Sequence, residues 1–251
     1  MEDKFRDYLG AVNTYGRPMI GFGSYSDVYS CDYLDWGCAY KEFVTEDYVK
    51  FIKERLYRIV EKGCCPNVII PNKFIYKKPE DEFFKGYVMN SLESYDLLDD
   101  LTDLSIDKKI SILKKAREIV DNFHNTYNCV HANITPWKFM LSSYNGDLQL
   151  IDPDTNISLE KKDVVDINKY KSEASYYISN IGVDKGLDIF LFNLSVYSIL
   201  NNKNFFECLS AILNSEYGIF EENEKVKNIF DSYKDLDCKK SLKKEYVIDY
   251  M

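Results

Sequence analysis

Two segments near the start of the chain carry residue types suited to holding phosphate. Ile20-Gly21-Phe22-Gly23-Ser24-Tyr25-Ser26-Asp27-Val28-Tyr29 sets two glycines and small residues on a turn between strand-like runs. Backbone N–H groups approach an anion closely in such a turn because no Cβ stands in the way. The same Gly-x-Gly spacing also serves as a plain hairpin turn. Thirteen residues after Val28, Lys41 stands in the strand-like run Ala39-Tyr40-Lys41. It is either a solvated edge lysine or an ammonium held over the floor of the glycine turn, where it neutralises phosphate charge.

These residues need elements to position them. Ile20 to Ser30 reads as strand-turn-strand and Cys38 to Val44 as a further strand. From Thr45, an N-cap type, to Gly63, a C′ type, Val49, Ile52, Leu56 and Ile59 recur at three- and four-residue spacing and predict an amphipathic helix. Val68 to Tyr76 and Phe83 to Met89 read as strands around the turn at 77–81. After residue 90 the pattern turns helical. Ser105 starts a helix striped by Ile110, Leu113, Ala116, Val120, Phe123 and Tyr127, and Asn145-Gly146 centres a hairpin. Residues 153–180 read as a polar loop, Leu187 to Asn201 as a buried helix, and 204–251 as one to three more helices. A strand-rich first third before a mainly helical remainder predicts an α+β chain of two lobes.

The order of these segments, with Val130-His131-Ala132-Asn133-Ile134-Thr135-Pro136-Trp137-Lys138 and Leu150-Ile151-Asp152-Pro153-Asp154, resembles the protein-kinase-like superfamily over nearly the whole length. The resemblance implies a single two-lobed domain over 1–251, with a small β-rich lobe at 1–90 and a reduced, mainly helical lobe at 91–251. It implies that Gly21, Gly23 and Val28 form the glycine-rich loop, that Lys41 pairs with phosphates, and that Ala39 and the hinge residues Met89 and Ser91 complete a nucleotide site. His131-Ala132-Asn133 matches the His-Arg-Asp catalytic loop, Asp152-Pro153-Asp154 the Asp-Phe-Gly site, and Asp188 the aspartate that starts the large buried helix.

The departures from that pattern set the functional expectation. The catalytic aspartate position holds Asn133, whose amide hydrogen-bonds a hydroxyl but takes no proton. The metal-binding asparagine position holds Lys138, a cation that stands in place of one Mg²⁺, and the arginine position holds Ala132. Asp152 remains as the one expected Mg²⁺ ligand, with Pro153 restricting it to an extended backbone. Asp154 reads as a solvated loop residue, with metal ligation as the other reading. Neither Glu54 nor Glu61 falls on the helix stripe that would face Lys41, so the resemblance supplies no Lys–Glu pair. About sixty residues follow Asp188, and Ser179-Asn180 stand where Pro-Glu ends the family's activation segment.

Composition bounds the partners. At 45% hydrophobic and 29% charged the chain is globular, and 32 basic against 41 acidic residues leave −9, which disfavours a nucleic-acid partner. No leader or membrane span is expected. Seven cysteines without a CxxC pair predict reduced thiols in a cytoplasmic protein, with vicinal Cys64-Cys65 as the alternative redox or metal pair. The expectation is an ATP-binding pseudokinase acting through nucleotide and protein-partner binding, with Mg²⁺ weakly held or dispensable. An active but divergent Ser/Thr-type protein kinase is the alternative, and a nucleotide-free scaffold the third reading.

Overall fold

A strand order that begins and ends on consecutive strands of the chain governs the first part of this protein. The computed structural model describes residues 2–34, 36–92, 94–100, 102–159, 184–235 and 243–251. The chain divides into two units: Met1–Cys64 with Ile69–Tyr95 and Asp152–Asp154, and Cys65–Val68 with Asp96–Ile151 and Thr155–Met251. Its class is α+β, with five α-helices among the described residues.

The first unit contains β1 (Arg6–Tyr8), β2 (Val12–Asn13), β3 (Met19–Phe22), β4 (Ser26–Tyr33), β5 (Trp36–Phe43), helix α1 (Glu46–Lys62), β6 (Lys73–Tyr76) and β7 (Gly86–Asn90). Seven strands form one sheet in the order β1-β6-β7-β5-β4-β2, with β3 also paired to β4. Laid flat, β1 and β2 would stand about 24 Å apart. The four-residue step from Tyr8 to Val12 reaches at most about 14 Å. The sheet therefore curls until its two ends come near each other, a closure made by N-terminal residues that carry no strong strand pattern.

A buried cluster lies on each face of this sheet. On one, Phe43, Phe74 and Tyr87 pack under Tyr48, Val49, Ile52 and Leu56 of α1. On the other, Cys31, Cys38, Tyr40, Ile75 and Val88 gather against Val12, Tyr29 and Tyr33. Helix α1 ends at Gly63, which stands at the C-cap with φ +88°, a value that favours glycine, and ψ −170°, not the left-handed helical backbone expected of a C′ residue. The Val68 to Tyr76 run is shorter as a strand than its composition suggests. Pairing in the sheet begins only after Pro71 and Asn72, and Val68 instead bridges Leu150 in the second unit.

The second unit is built on two long helices. Helix α2 (Ile106–Tyr127) buries Leu113, Ala116, Val120, Phe123 and Tyr127 of the expected stripe, leaves Ile110 half-buried, and ends at left-handed Asn128. Helix α3 (Lys185–Asn201) has every residue from Gly186 to Leu200 buried, polar Asp188, Asn193, Ser195 and Ser198 included. Strands β8 (Tyr95–Leu97), β10 (Phe139–Ser142) and β11 (Leu148–Leu150) form a small sheet, and β9 (Cys129–Val130) pairs with β12 (Ile157–Ser158). Gly146 takes φ +71° in the β10–β11 turn. Helices α4 (Phe205–Leu213) and α5 (Glu224–Asp231) complete the unit. The segment expected as a loop from 153 is a 3₁₀ turn at Pro153–Thr155 and then β12. Ser179-Asn180 and the rest of the expected loop from 160 to 180 lie outside the described residues.

One glycine sets the spacing beneath Lys41. A Cβ at Gly86 would stand 2.2 Å from the Lys41 carbonyl oxygen and 2.7 Å from the Tyr40 ring, so β5 and β7 meet only with glycine there. Gly86→Ala is expected to cost about 1–3 kcal/mol in urea unfolding through overpacking, whereas Gly37→Ala, with nothing within 4 Å of its Cβ, is expected to change stability by less than about 1 kcal/mol.

Candidate functional site

Strand register assembles the residues singled out in the first unit. Gly21 faces Val28, Val28 faces Lys41, Lys41 faces Tyr87 and Tyr87 faces Phe74, one row across four antiparallel pairings. Partners across antiparallel strands share a face, and the two-residue alternation adds the row Ser30, Ala39 and Met89. Gly21, Val28, Ala39, Lys41 and Met89 thus lie on one face of the sheet. Ser91 follows two residues past Met89, half-buried, beyond the end of β7.

The glycines are not demanded by the chain itself. Neither Gly21 nor Gly23 has a left-handed φ, and a Cβ at either meets nothing nearer than 3.6 Å. The Gly23 N–H donates to the Ser26 carbonyl at 2.8 Å to close the turn, and Phe22 between them is 84% exposed. What the missing side chains leave is open space beside the backbone.

Lys41 is 3% exposed, which removes the solvated-edge reading. Its Nζ donates to Asp152 Oδ1 at 2.8 Å and to both oxygens of Asp154 at 3.2 Å. Burial by itself would lower its pKa; the carboxylates of Asp152 and then Asp154 outweigh that and hold it well above the ordinary lysine value. Such a shift keeps the full stabilising effect of the pairs below about pH 10.5 and loses it only as pH rises through the higher folded-state value.

Two expectations are corrected here. Asp154 is not a solvated loop residue: it is 4% exposed, ion-paired to Lys41, and accepts the Tyr48 hydroxyl at 3.2 Å. Asp152 is not extended, since its φ is +59°. This left-handed backbone, uncommon before proline, accompanies the turn that directs its carboxylate to Lys41. Glu54 and Glu61 are exposed on α1, and the helix reaches the network through Tyr48 instead. Burial first and Asp154 second raise the Tyr48 phenol well above its ordinary pKa. The Tyr25 ring of the glycine turn stacks on Tyr48 at 4.2 Å and 2°. Tyr48 was legible in part, because it stands four residues before Ile52 on the buried stripe.

In the second unit a different carboxylate organises the backbone. Asp188, fully buried, accepts the N–H of His131 at 2.6 Å, the N–H of Ala132 at 2.8 Å, and a 2.8 Å contact from His124 Nε2. Ala132 takes φ +62°. His131 Nε2 reaches the Ile151 carbonyl at 3.0 Å, Thr155 Oγ1 donates to the His131 carbonyl, and Ser195 Oγ donates to that of Ile134. Asn133 is half-buried at the end of this anchored run. Lys138, also half-buried, ends the Pro136–Lys138 turn, and its carbonyl accepts the Ile151 N–H at 3.0 Å.

Among the described residues no three Asp, Glu, His or Cys side chains come together to hold a metal. Asp152 and Asp154 are two carboxylates, the number with which a protein binds Mg²⁺ when phosphate oxygens complete the shell. No disulfide joins the described cysteines: Cys31 and Cys38 sit opposite each other on β4 and β5 as thiols, and Cys64 is exposed beside buried Cys65. No protein-family model and no curated protein matches the chain.

Removing Lys41 strands two carboxylates, one of them buried. Lys41→Met is expected to cost about 3–5 kcal/mol in urea unfolding, and Lys41→Met with Asp154→Leu to recover part of that loss. A second prediction concerns the thiols. Burial pushes Cys31 up to about 11 and Cys208 to about 12. Iodoacetamide labelling at about pH 8, mapped by mass spectrometry, is expected to modify Cys64 at least about tenfold faster than Cys31 or Cys208.

Proposed function

We propose that the chain is a protein-kinase-like, ATP-binding protein with impaired phosphotransfer, a pseudokinase acting in the cytoplasm through nucleotide and protein-partner binding. The observation that carries this reading is the single sheet face shared by Gly21, Val28, Ala39, Lys41 and Met89, with Lys41 buried and paired to Asp152. In this reading Ala39 and Met89 supply the apolar wall for the base, and the chain at Ser91 its polar edge. The bare backbone at Gly21 and Gly23 admits the phosphates. Asp152 and Asp154 would hold Mg²⁺ together with phosphate oxygens, and the ion when bound neutralises phosphate charge.

The impairment follows from residue chemistry. Asn133 orients a hydroxyl but takes no proton, and loss of a general base costs about 10²- to 10⁴-fold. Lys138 ligates no metal. The backbone around Asn133 is nonetheless held by Asp188, so this loop keeps a fixed shape while lacking its chemistry. The net charge of −9 argues against nucleic acid as a partner. No helix among the described residues is long and apolar enough to cross a membrane.

Thermal unfolding across an ATP titration, with Mg²⁺ and with EDTA, tests the reading. At 100 times Kd the stabilisation expected is about 2.7 kcal/mol. Gly21→Ala with Gly23→Ala is the informative variant, because the fold tolerates both methyl groups while a bound phosphate does not, so the shift should vanish and the unliganded melting temperature should stay. Absence of any shift at millimolar ATP would overturn nucleotide binding. Label transfer from γ-labelled ATP at ordinary kinase rates by the unmodified chain would overturn impairment; a rise in transfer only in Asn133→Asp with Lys138→Asn would support it.

A further inference from the structure

Lys41 is fully engaged by its own chain. An ammonium has three N–H donors, and here Asp152 Oδ1 lies at 2.8 Å and the two Asp154 oxygens at 3.2 Å. One positive charge faces two carboxylates, a local balance that repels a polyanion. The two acids are not equivalent. The Asp152 side chain is 24% exposed, whereas that of Asp154 is 5% exposed and tied by the Tyr48 hydroxyl. Tyr48 is in turn covered by the Tyr25 ring, and the Tyr25 carbonyl accepts the Val44 N–H at 2.9 Å. The contacts run unbroken from the glycine turn through α1 to Asp154 and Lys41.

We propose that Asp154 is a built-in competitor for phosphate: its carboxylate occupies Lys41 where a phosphoryl group would bind, and the Tyr25–Tyr48 stack latches it there. The inference deepens the nucleotide reading and rests on it for the identity of the ligand. Asp154 sits one residue after a proline and takes a place that a glycine, in the resembling family, leaves bare of any side chain. The fold therefore supplies its own anion to a lysine that a ligand must win. A phosphate reaches Lys41 only when Asp154 leaves, and Tyr48 acts on Lys41 through Asp154 as a positioning residue.

Asp154→Asn tests this, since the amide keeps an acceptor for Tyr48 and Lys41 keeps Asp152. Two readouts are needed: binding of inorganic tripolyphosphate and of ATP in EDTA by calorimetry, and the rate at which an acylating reagent labels Lys41 Nζ, mapped by mass spectrometry. Asp154→Asn is expected to bind tripolyphosphate and ATP at least about tenfold more tightly than the unmodified chain and to label at least about tenfold faster. Tyr48→Phe, which keeps the ring stack and loses one hydrogen bond, is expected to give a gain of about two- to tenfold and serves if Asp154→Asn does not fold. Unchanged labelling with unchanged tripolyphosphate affinity in both variants overturns the competitor, and the ATP-induced shift of the unmodified chain then still decides the nucleotide reading. Faster labelling and tighter tripolyphosphate with no ATP binding upholds the competitor and overturns the nucleotide reading.

Discussion

The buried ion pairs of Lys41 constrain the whole first unit. A lysine side chain taken out of water is tolerated only where opposite charge and hydrogen bonds replace its solvent, and two carboxylates do so here. Meeting that requirement fixes several things together. The 152–154 segment must join the sheet unit although it is distant in the chain, Asp152 must adopt a left-handed backbone, and the first turn of α1 must lie close enough for Tyr48 to reach Asp154. Buried ion pairs of this kind add little net stability relative to apolar packing. Their effect is on position, since removal of Lys41 leaves two carboxylates without compensation.

The sheet supplies the platform for this network. Its register sets Gly21, Val28, Lys41 and Tyr87 in one row, and its curl, forced by the short connection between β1 and β2, buries the face opposite α1. Aromatic packing of Phe43, Phe74, Phe84 and Tyr87 lines the α1 face, and Phe43 and Tyr87 also flank the Lys41 ammonium at 5.8 and 5.9 Å. A lysine set among rings and carboxylates has little freedom of its own. Gly86 allows β5 and β7 to approach at this point, so backbone spacing and site geometry share one residue.

The second unit solves a parallel problem with Asp188. The fully buried Asp188 carboxylate has its charge met by two backbone N–H groups and His124. The backbone of His131 and Ala132 is thereby held in place just before Asn133. In the pseudokinase reading proposed above, this combination keeps the shape of a catalytic loop while its chemistry is absent, as expected when selection acts on conformation and binding.

Much of this was readable from residue order alone. The helices at Glu46–Lys62, Ile106–Tyr127 and Lys185–Asn201, the Asn145-Gly146 hairpin and the strand positions of Gly21, Val28, Ala39, Lys41 and Met89 follow from periodicity and turn chemistry, which are local. Tertiary structure alone decided which charges met. Asp154 looked like a loop acid because nothing in its neighbours along the chain shows that Lys41, 113 residues away, and Tyr48 would converge on it. The expectation of an extended Asp152 failed for a related reason: local steric preference before proline amounts to a few kcal/mol at most, and satisfying a buried ammonium outweighs it. The closure of the sheet by β1 and β2 was likewise invisible, since strands of two and three residues carry almost no pattern and owe their form to the edges they pair with. Sequence determines local form and the identity of the chemical groups. Which of those groups neutralise one another is settled only when distant segments are desolvated together.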